Sequence, residues 1–269
     1  PLVISADDPY AVKMSARTPA RIISYGTSEK ANVRVSGVGF YEEEGRAAGM
    51  RADVTSGKGH GEVVVKGAVG TTQILPLAAA VAAASAFDIP FPDALKALAG
   101  YEPPPGRMRL LAGKNGSVII DDSYNSSPPA VEEALATLKA FPNAKRPYSA
   151  EASKGRRIAV LGDMLELGRY SVLEHERIGS LARDSADLVA PVGIRARVFA
   201  GAPGKADVVQ YDNSRTAAQA LQGLIQAGDV ILVKGSQSIR TERIVEALLA
   251  NPADAKFLVR QEKEWKKKA

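Results

Sequence analysis

Two short stretches crowd acidic and amide side chains directly behind apolar runs: Asp121-Asp122-Ser123-Tyr124-Asn125-Ser126-Ser127 and Gly162-Asp163-Met164-Leu165-Glu166-Leu167-Gly168. A carboxylate at the end of a strand can accept both hydroxyls of a ribose, while neighbouring amides and hydroxyls orient other polar atoms. A lone Asp-Asp pair is more often a turn cap. The aromatic Tyr124 and the polar Asn125, Ser126 and Ser127 on the same loop tilt the reading toward a nucleotide. Asp163 and Glu166 read equally well as acidic residues near a helix start, where the helix dipole favours them. A third stretch, VILVKGSQSIR (Val230–Arg240), places Lys234, Ser236 and Arg240 where a buried strand meets a helix. Exposed amides, hydroxyls and cations there suit a carboxylate or phosphate, and a plain N-cap at Ser236 or Ser238 is compatible with that role. Arg107 and Arg109 follow a proline-rich run and point either into a cleft or into solvent. His175, between Glu174 and Glu176, reads as a helix-surface histidine, and His60, in SGKGHGE, as a loop residue.

These side chains need elements to present them, and the chain changes texture near residue 106. Before it, short alternating runs (Leu2–Ser5, Arg21–Tyr25, Val33–Phe40, Arg51–Val54 and Glu62–Lys66) predict strands joined by hairpins, followed by helices over Ile74–Phe87 and Pro92–Ala99. Pro103-Pro104-Pro105-Gly106 marks the boundary between domains 1–106 and 107–269. Beyond it, strands Ser117–Asp121, Arg157–Leu161, Leu188–Val192, Val208–Tyr211 and Val230–Val233 alternate with helices Pro129–Ala140, Leu173–Ser185, Ser214–Gln226 and Ile239–Leu249. Such alternation predicts an α/β fold, a mainly parallel sheet with flanking helices. Parallel neighbouring strands would set the GDMLELG loop beside the DDSYN loop. The apolar run Lys256–Val259 offers a further edge strand, and the polar segment Asn143–Gly155 reads as a surface loop.

Composition removes several chemistries. The 269 residues contain no cysteine and two histidines, which excludes disulfides, thiolate nucleophiles and a histidine-rich metal site. The net charge of +5 is modest, and the few aromatics are not interleaved with the basic residues, so nucleic acid is not an expected partner. No apolar run reaches the roughly 18 residues of a membrane span, and no secretory signal opens the chain. A cytoplasmic monomer without membrane insertion is expected. The chain starts at Pro1, in an apolar run, and reads as a fragment that begins partway through a domain. No GxxxxGK[ST] phosphate loop occurs, since Gly57-Lys58, Gly113-Lys114 and Gly204-Lys205 all lack the following Ser or Thr, and no GxGxxG follows a strand.

DDSYNSSP, LGDMLELG with His175 and Gly179 downstream, and VLVKGS followed by an Arg and a Glu together resemble the C-terminal domain of the Mur ligases. GDMLELG is most similar to the type that adds D-alanyl-D-alanine to UDP-N-acetylmuramoyl-tripeptide. Ser5-Ala6-Asp7-Asp8-Pro9 resembles a turn late in the family's central ATPase domain, and Gly106-Arg107 the junction that follows it. The resemblance implies a Rossmann-like C-terminal domain preceded by the last part of the central ATPase domain. It also implies an ADP-forming ligase of peptidoglycan synthesis, hence of cell-wall biogenesis, cell shape and division. Such an enzyme activates a carboxylate as an acyl phosphate that an amine attacks, with ATP and Mg²⁺ as cofactors.

Carried over, Arg107 would contact ATP phosphates across the cleft and Asp122 would bind the ribose. Tyr124 and Asn125 would line the nucleotide or peptide side. Lys234, Ser236 and Ser238 would lie near the dipeptide and its carboxylate, with Asp163 and Glu166 on the substrate side. Arg107 and Lys234 would be the catalytic pair. Two departures stand out. Gly67–Gln73 replaces the family's GxHNxxN-like stretch, leaving Gln73 in place of the adenine-contacting amide, and Ser127 replaces the second Asn of the usual YNANP. The family's P-loop, Mg²⁺ ligands and modified lysine precede the point where this sequence begins, so the chain alone is expected to be inactive. Another amide ligase of the superfamily, or a non-catalytic nucleotide- or peptide-binding module, remains an alternative.

Overall fold

Alternating apolar residues build the first sheet, and continuous apolar runs build the second. The computed structural model describes residues 1–142 and 155–267, so the expected loop Asn143–Gly155 lies, but for Gly155, outside the described residues. The chain divides into two compact units, Pro1–Pro103 and Pro104–Ala269.

In the first unit five strands lie in chain order: β1 (Leu2–Ser5), β2 (Ile22–Gly26), β3 (Val33–Glu43), β4 (Arg46–Ser56) and β5 (Gly59–Lys66). Hairpins account for β3, β4 and β5 alone; β1, β2 and β3 run parallel. Between β1 and β2, helix α1 (Pro9–Ser15) occupies a span that reads as a turn in sequence. Asp8 caps it by accepting from the Tyr10 and Ala11 N–H groups, and Pro9 opens it. Helices α2 (Leu75–Ala86) and α3 (Phe91–Leu98) cover the sheet. Val33, Val35, Ala52, Val54, Val63 and Val65 are buried on the strands, and Leu77, Ala78, Val81 and Ala82 on α2. His60 lies within β5 rather than in a loop, with its Nδ1 3.0 Å from Thr55 Oγ1 on β4.

The second unit carries β6 (Arg109–Ala112), β7 (Val118–Asp122), β8 (Arg157–Gly162), β9 (Leu188–Val192), β10 (Asp207–Val208) and β11 (Val230–Lys234), in the order β10-β9-β8-β11-β7-β6. Every pairing is parallel except β6 with β7. The central strands carry continuous apolar runs, interrupted by charge only at their ends, because helices cover both faces. Helices α6 (Ser214–Leu224) and α7 (Glu242–Leu248) share one core with Ile119, Ile158, Val160, Ala190, Ile231 and Val233. Alternation puts Ile120, Ala159, Leu161, Val189 and Leu232 on the other face, where α4 (Pro128–Ala140) and α5 (Ser171–Ser185) pack.

Two expectations are corrected. β11 lies between β7 and β8, so the two acidic loops are not on neighbouring strands. The Lys256–Val259 run forms no strand; a 3-10 turn spans Pro252–Phe257, and the short helix α8 (Lys263–Lys267) follows. Among the described residues, no helix is long and apolar enough to cross a membrane.

Candidate functional site

Strand register brings the polar residues together. Lys234, the last residue of β11, pairs with Asp122 on β7 and with Leu161 on β8. Its ammonium donates to Asp122 Oδ2 at 2.6 Å and to the Asn125 carbonyl at 2.9 Å. Both side chains are buried, and an ion pair taken out of water holds only if each charge keeps its partner. Burial pushes the Asp122 carboxyl above its ordinary range, against the downward pull of Lys234 and Arg107.

The preceding residue points to the opposite face. Asp121 is fully buried; its Oδ1 accepts from the Ser123 N–H at 3.1 Å, while Oδ2 has no hydrogen bond. Burial drives its pKa up to about 6, with the charges of Asp122 and Glu242 adding to the shift. Beyond it the DDSYN loop turns outward. Tyr124 is 46% exposed, and the Arg107 guanidinium stacks on its ring, 4.0 Å from the centroid. The Tyr124 N–H donates to the Gly106 carbonyl at 3.1 Å. Gly106 has φ +65, and a Cβ there would stand 3.0 Å from the Tyr124 nitrogen, so the residue before Arg107 must be small. Asn125 is exposed, and the hydroxyls of Ser123 and Ser126 are buried without a hydrogen-bond partner.

The GDMLELG loop is held from within. Asp163 Oδ1 accepts from the Ala196 N–H at 2.8 Å, and its own carbonyl accepts from the Ser236 N–H at 3.1 Å. Gly193, with φ +113, makes room for that carboxylate: a Cβ would come within 2.6 Å of Oδ1. Ser236 does not cap the following turn. Its hydroxyl accepts from the Leu165 N–H at 2.9 Å, stitching the KGS loop to GDMLELG. His175 is 1% exposed, not on the helix surface. Its Nε2 accepts from the Met164 N–H at 3.0 Å, so Nδ1 carries the proton and donates to the Ser171 carbonyl at 2.7 Å. Glu166, at φ +63, and Ser238 are exposed at the rim. Gln73 belongs to the other unit, buried in a 3-10 turn over Thr71–Gln73.

One participant escapes sequence reading. Arg260, in a charged run near the end of the chain, is buried and donates to the carbonyls of Ser123 and Tyr124 at 3.0 Å each. It fixes the backbone of the DDSYN loop from 136 residues away, with no local motif to announce it. The result is a rim of exposed Tyr124, Asn125, Glu166 and Ser238 on a buried, hydrogen-bonded base at the carboxyl ends of parallel strands, where open α/β sheets bind ligands. Among the described residues, no group of three or more His, Asp or Glu side chains could hold a metal ion.

Residues 106–237 match the family model described as Mur ligase, glutamate ligase domain. The UDP-N-acetylmuramoyl-tripeptide–D-alanyl-D-alanine ligase of Bacillus subtilis is 31% identical over 189 residues, covering 68% of this chain and 39% of that protein. The protein of the same name from Mycobacterium tuberculosis is 29% identical over 273 residues, covering 93% of this chain and 51% of that one. The chain thus spans about half the length, or less, of these curated relatives. The crystal structure of MurF ligase from Thermotoga maritima in complex with ADP superposes with a TM-score of 0.74 at 25% identity, covering 91% of this chain and 52% of that one.

Proposed function

The chain belongs to the Mur ligase family, and on that premise we propose that it serves in an ADP-forming ligase adding D-alanyl-D-alanine to UDP-N-acetylmuramoyl-tripeptide in peptidoglycan precursor synthesis. Residues 1–106 are read as the latter part of the ATP-binding domain and residues 107–269 as the C-terminal domain. One observation carries the reading: the match over residues 106–237 includes all three loops that the sheet gathers at the ends of β7, β8 and β11.

In this reading ATP supplies the phosphoryl group and the chain's residues place it. Asp122 receives the ribose hydroxyls, oriented by Lys234. Tyr124 and Asn125 line the nucleotide, and Arg107 brings positive charge toward its phosphates. Glu166 and Ser238 face the incoming dipeptide. The Asp163 carbonyl accepts from the Ser236 N–H and the Ser236 hydroxyl from the Leu165 N–H, holding the GDMLELG and KGS loops against each other. The Lys234 ammonium has three N–H donors, two of which go to Asp122 and Asn125, so contact with the dipeptide carboxylate would use the third. Among the described residues no cluster of three acidic or histidine side chains marks a Mg²⁺ site, and no step is assigned to that ion.

The test is a ligation assay on a ligase carrying this chain together with a P-loop domain. ATP, UDP-N-acetylmuramoyl-tripeptide and D-alanyl-D-alanine should yield ADP and a product extended by the dipeptide. Extension by a single amino acid, with the dipeptide refused, would move the chain to a different amide ligase of the family.

A further inference from the structure

Beside α7, a cavity of about 180 Å³ is lined by four cations, Arg240, Arg243, Arg260 and Lys266, against two carboxylates, Glu242 and Glu246. Arg240 and Arg260 are more than nine-tenths buried. They share one buried anion: Arg240 Nε donates to Glu242 Oε1, and Arg260 Nη1 lies 3.6 Å from Glu242 Oε2. Two buried guanidiniums crowd this one carboxylate, with Asp121 a further anion acting on Arg260. The lining as a whole carries more cations than anions, a costly arrangement out of water. The Trp265 ring takes up part of the positive charge, 5.3 Å from Arg240 and 5.8 Å from Arg260. Arg260 Nε still lacks a hydrogen-bond partner. Burial, with the crowding of like charges, holds both Arg243 and Arg260 below their ordinary range. Arg243 at the rim and the exposed Lys266 add two further cations.

We propose that this cavity binds a phosphate-class oxyanion, contacted by Arg243 and Lys266 and balanced by the buried Arg240–Glu242–Arg260 cluster. An acceptor-only dianion is the ligand such a lining lacks. Because Arg260 also holds the carbonyls of Ser123 and Tyr124, an occupied cavity stiffens the DDSYN loop from behind. The inference stands on the second unit alone and does not depend on the ligase reading.

The chain is titrated calorimetrically with sodium phosphate at constant ionic strength, with sodium chloride, sodium acetate and glycerol 3-phosphate as separate arms. Saturable phosphate binding is expected, tighter than acetate. Glycerol 3-phosphate binding more tightly than phosphate would assign the site to a phosphate carried by a larger molecule, and weaker binding to the free ion. Arg243→Gln combined with Lys266→Gln leaves the buried cluster untouched and should weaken phosphate about tenfold or more, with the melting temperature without phosphate unchanged. No phosphate heat beyond that of chloride overturns the proposal. So does acetate binding as tightly as phosphate, or phosphate binding that the double substitution leaves intact.

Discussion

Lys234 and Asp122 are each tolerable in the interior only because of the other. Lys234→Met strands an uncompensated buried carboxylate and is expected to cost about 3–5 kcal/mol. Adding Asp122→Leu to it should recover much of that loss in urea unfolding. If the double variant is no more stable than the single one, the pair is not mutually dependent. Asp121 is shifted upward as well, burial raising its pKa from about 3.8 to about 6. The native state therefore holds the proton more tightly than the unfolded chain. Its contribution is complete below about pH 4 and is lost as the pH climbs through 6, up to about 3 kcal/mol in all. Asp121→Asn keeps the acceptor for the Ser123 N–H and should abolish that part of the decline, as melting temperatures from pH 4 to 7 would show. The Asp121–Ser127 loop stands out in sequence because its polar side chains are contiguous. The bond from Lys234 to Asp122 does not, because 112 residues separate the partners and only strand register brings them together.

At the scale of elements, periodicity finds the central strands of the second sheet and the helices between them, but not their order. β11 enters between β7 and β8 after two further crossovers, and no local pattern encodes that insertion. Its consequence is that the KGS loop lies between the two acidic loops and ties to both, through Lys234 and Ser236. Helix α1 is missed because a seven-residue helix carries too little periodicity to separate it from a turn. His175 is misread because its acidic neighbours Glu174 and Glu176 make the helix look solvated, while the buried face falls at His175, Ile178 and Ala182. His175→Ala removes the acceptor for the Met164 N–H. It should cost about 1–3 kcal/mol and speed hydrogen exchange at the Met164 amide. Unchanged protection there would show that α5 does not hold the loop.

For the whole molecule, the two units carry different shares of the signal. The second unit holds the family match, the site loops and a sheet whose carboxyl edge suits a ligand. The first unit's parallel β1–β3 portion is hidden behind an expectation of hairpins. The family was legible because the loops combine unusual residue types with fixed spacing. The restraint of Asp163, Ser236 and His175 by backbone groups was not, since it depends on contacts made only after folding. The proposed nucleotide site turns on Asp122 receiving the ribose. It is tested most directly by the KM for ATP of a ligase carrying this chain, compared with its Asp122→Asn variant after circular dichroism verifies that the variant is folded. Losing a charged acceptor should raise KM about 10- to 100-fold. A folded variant with an unchanged KM for ATP would contradict the account.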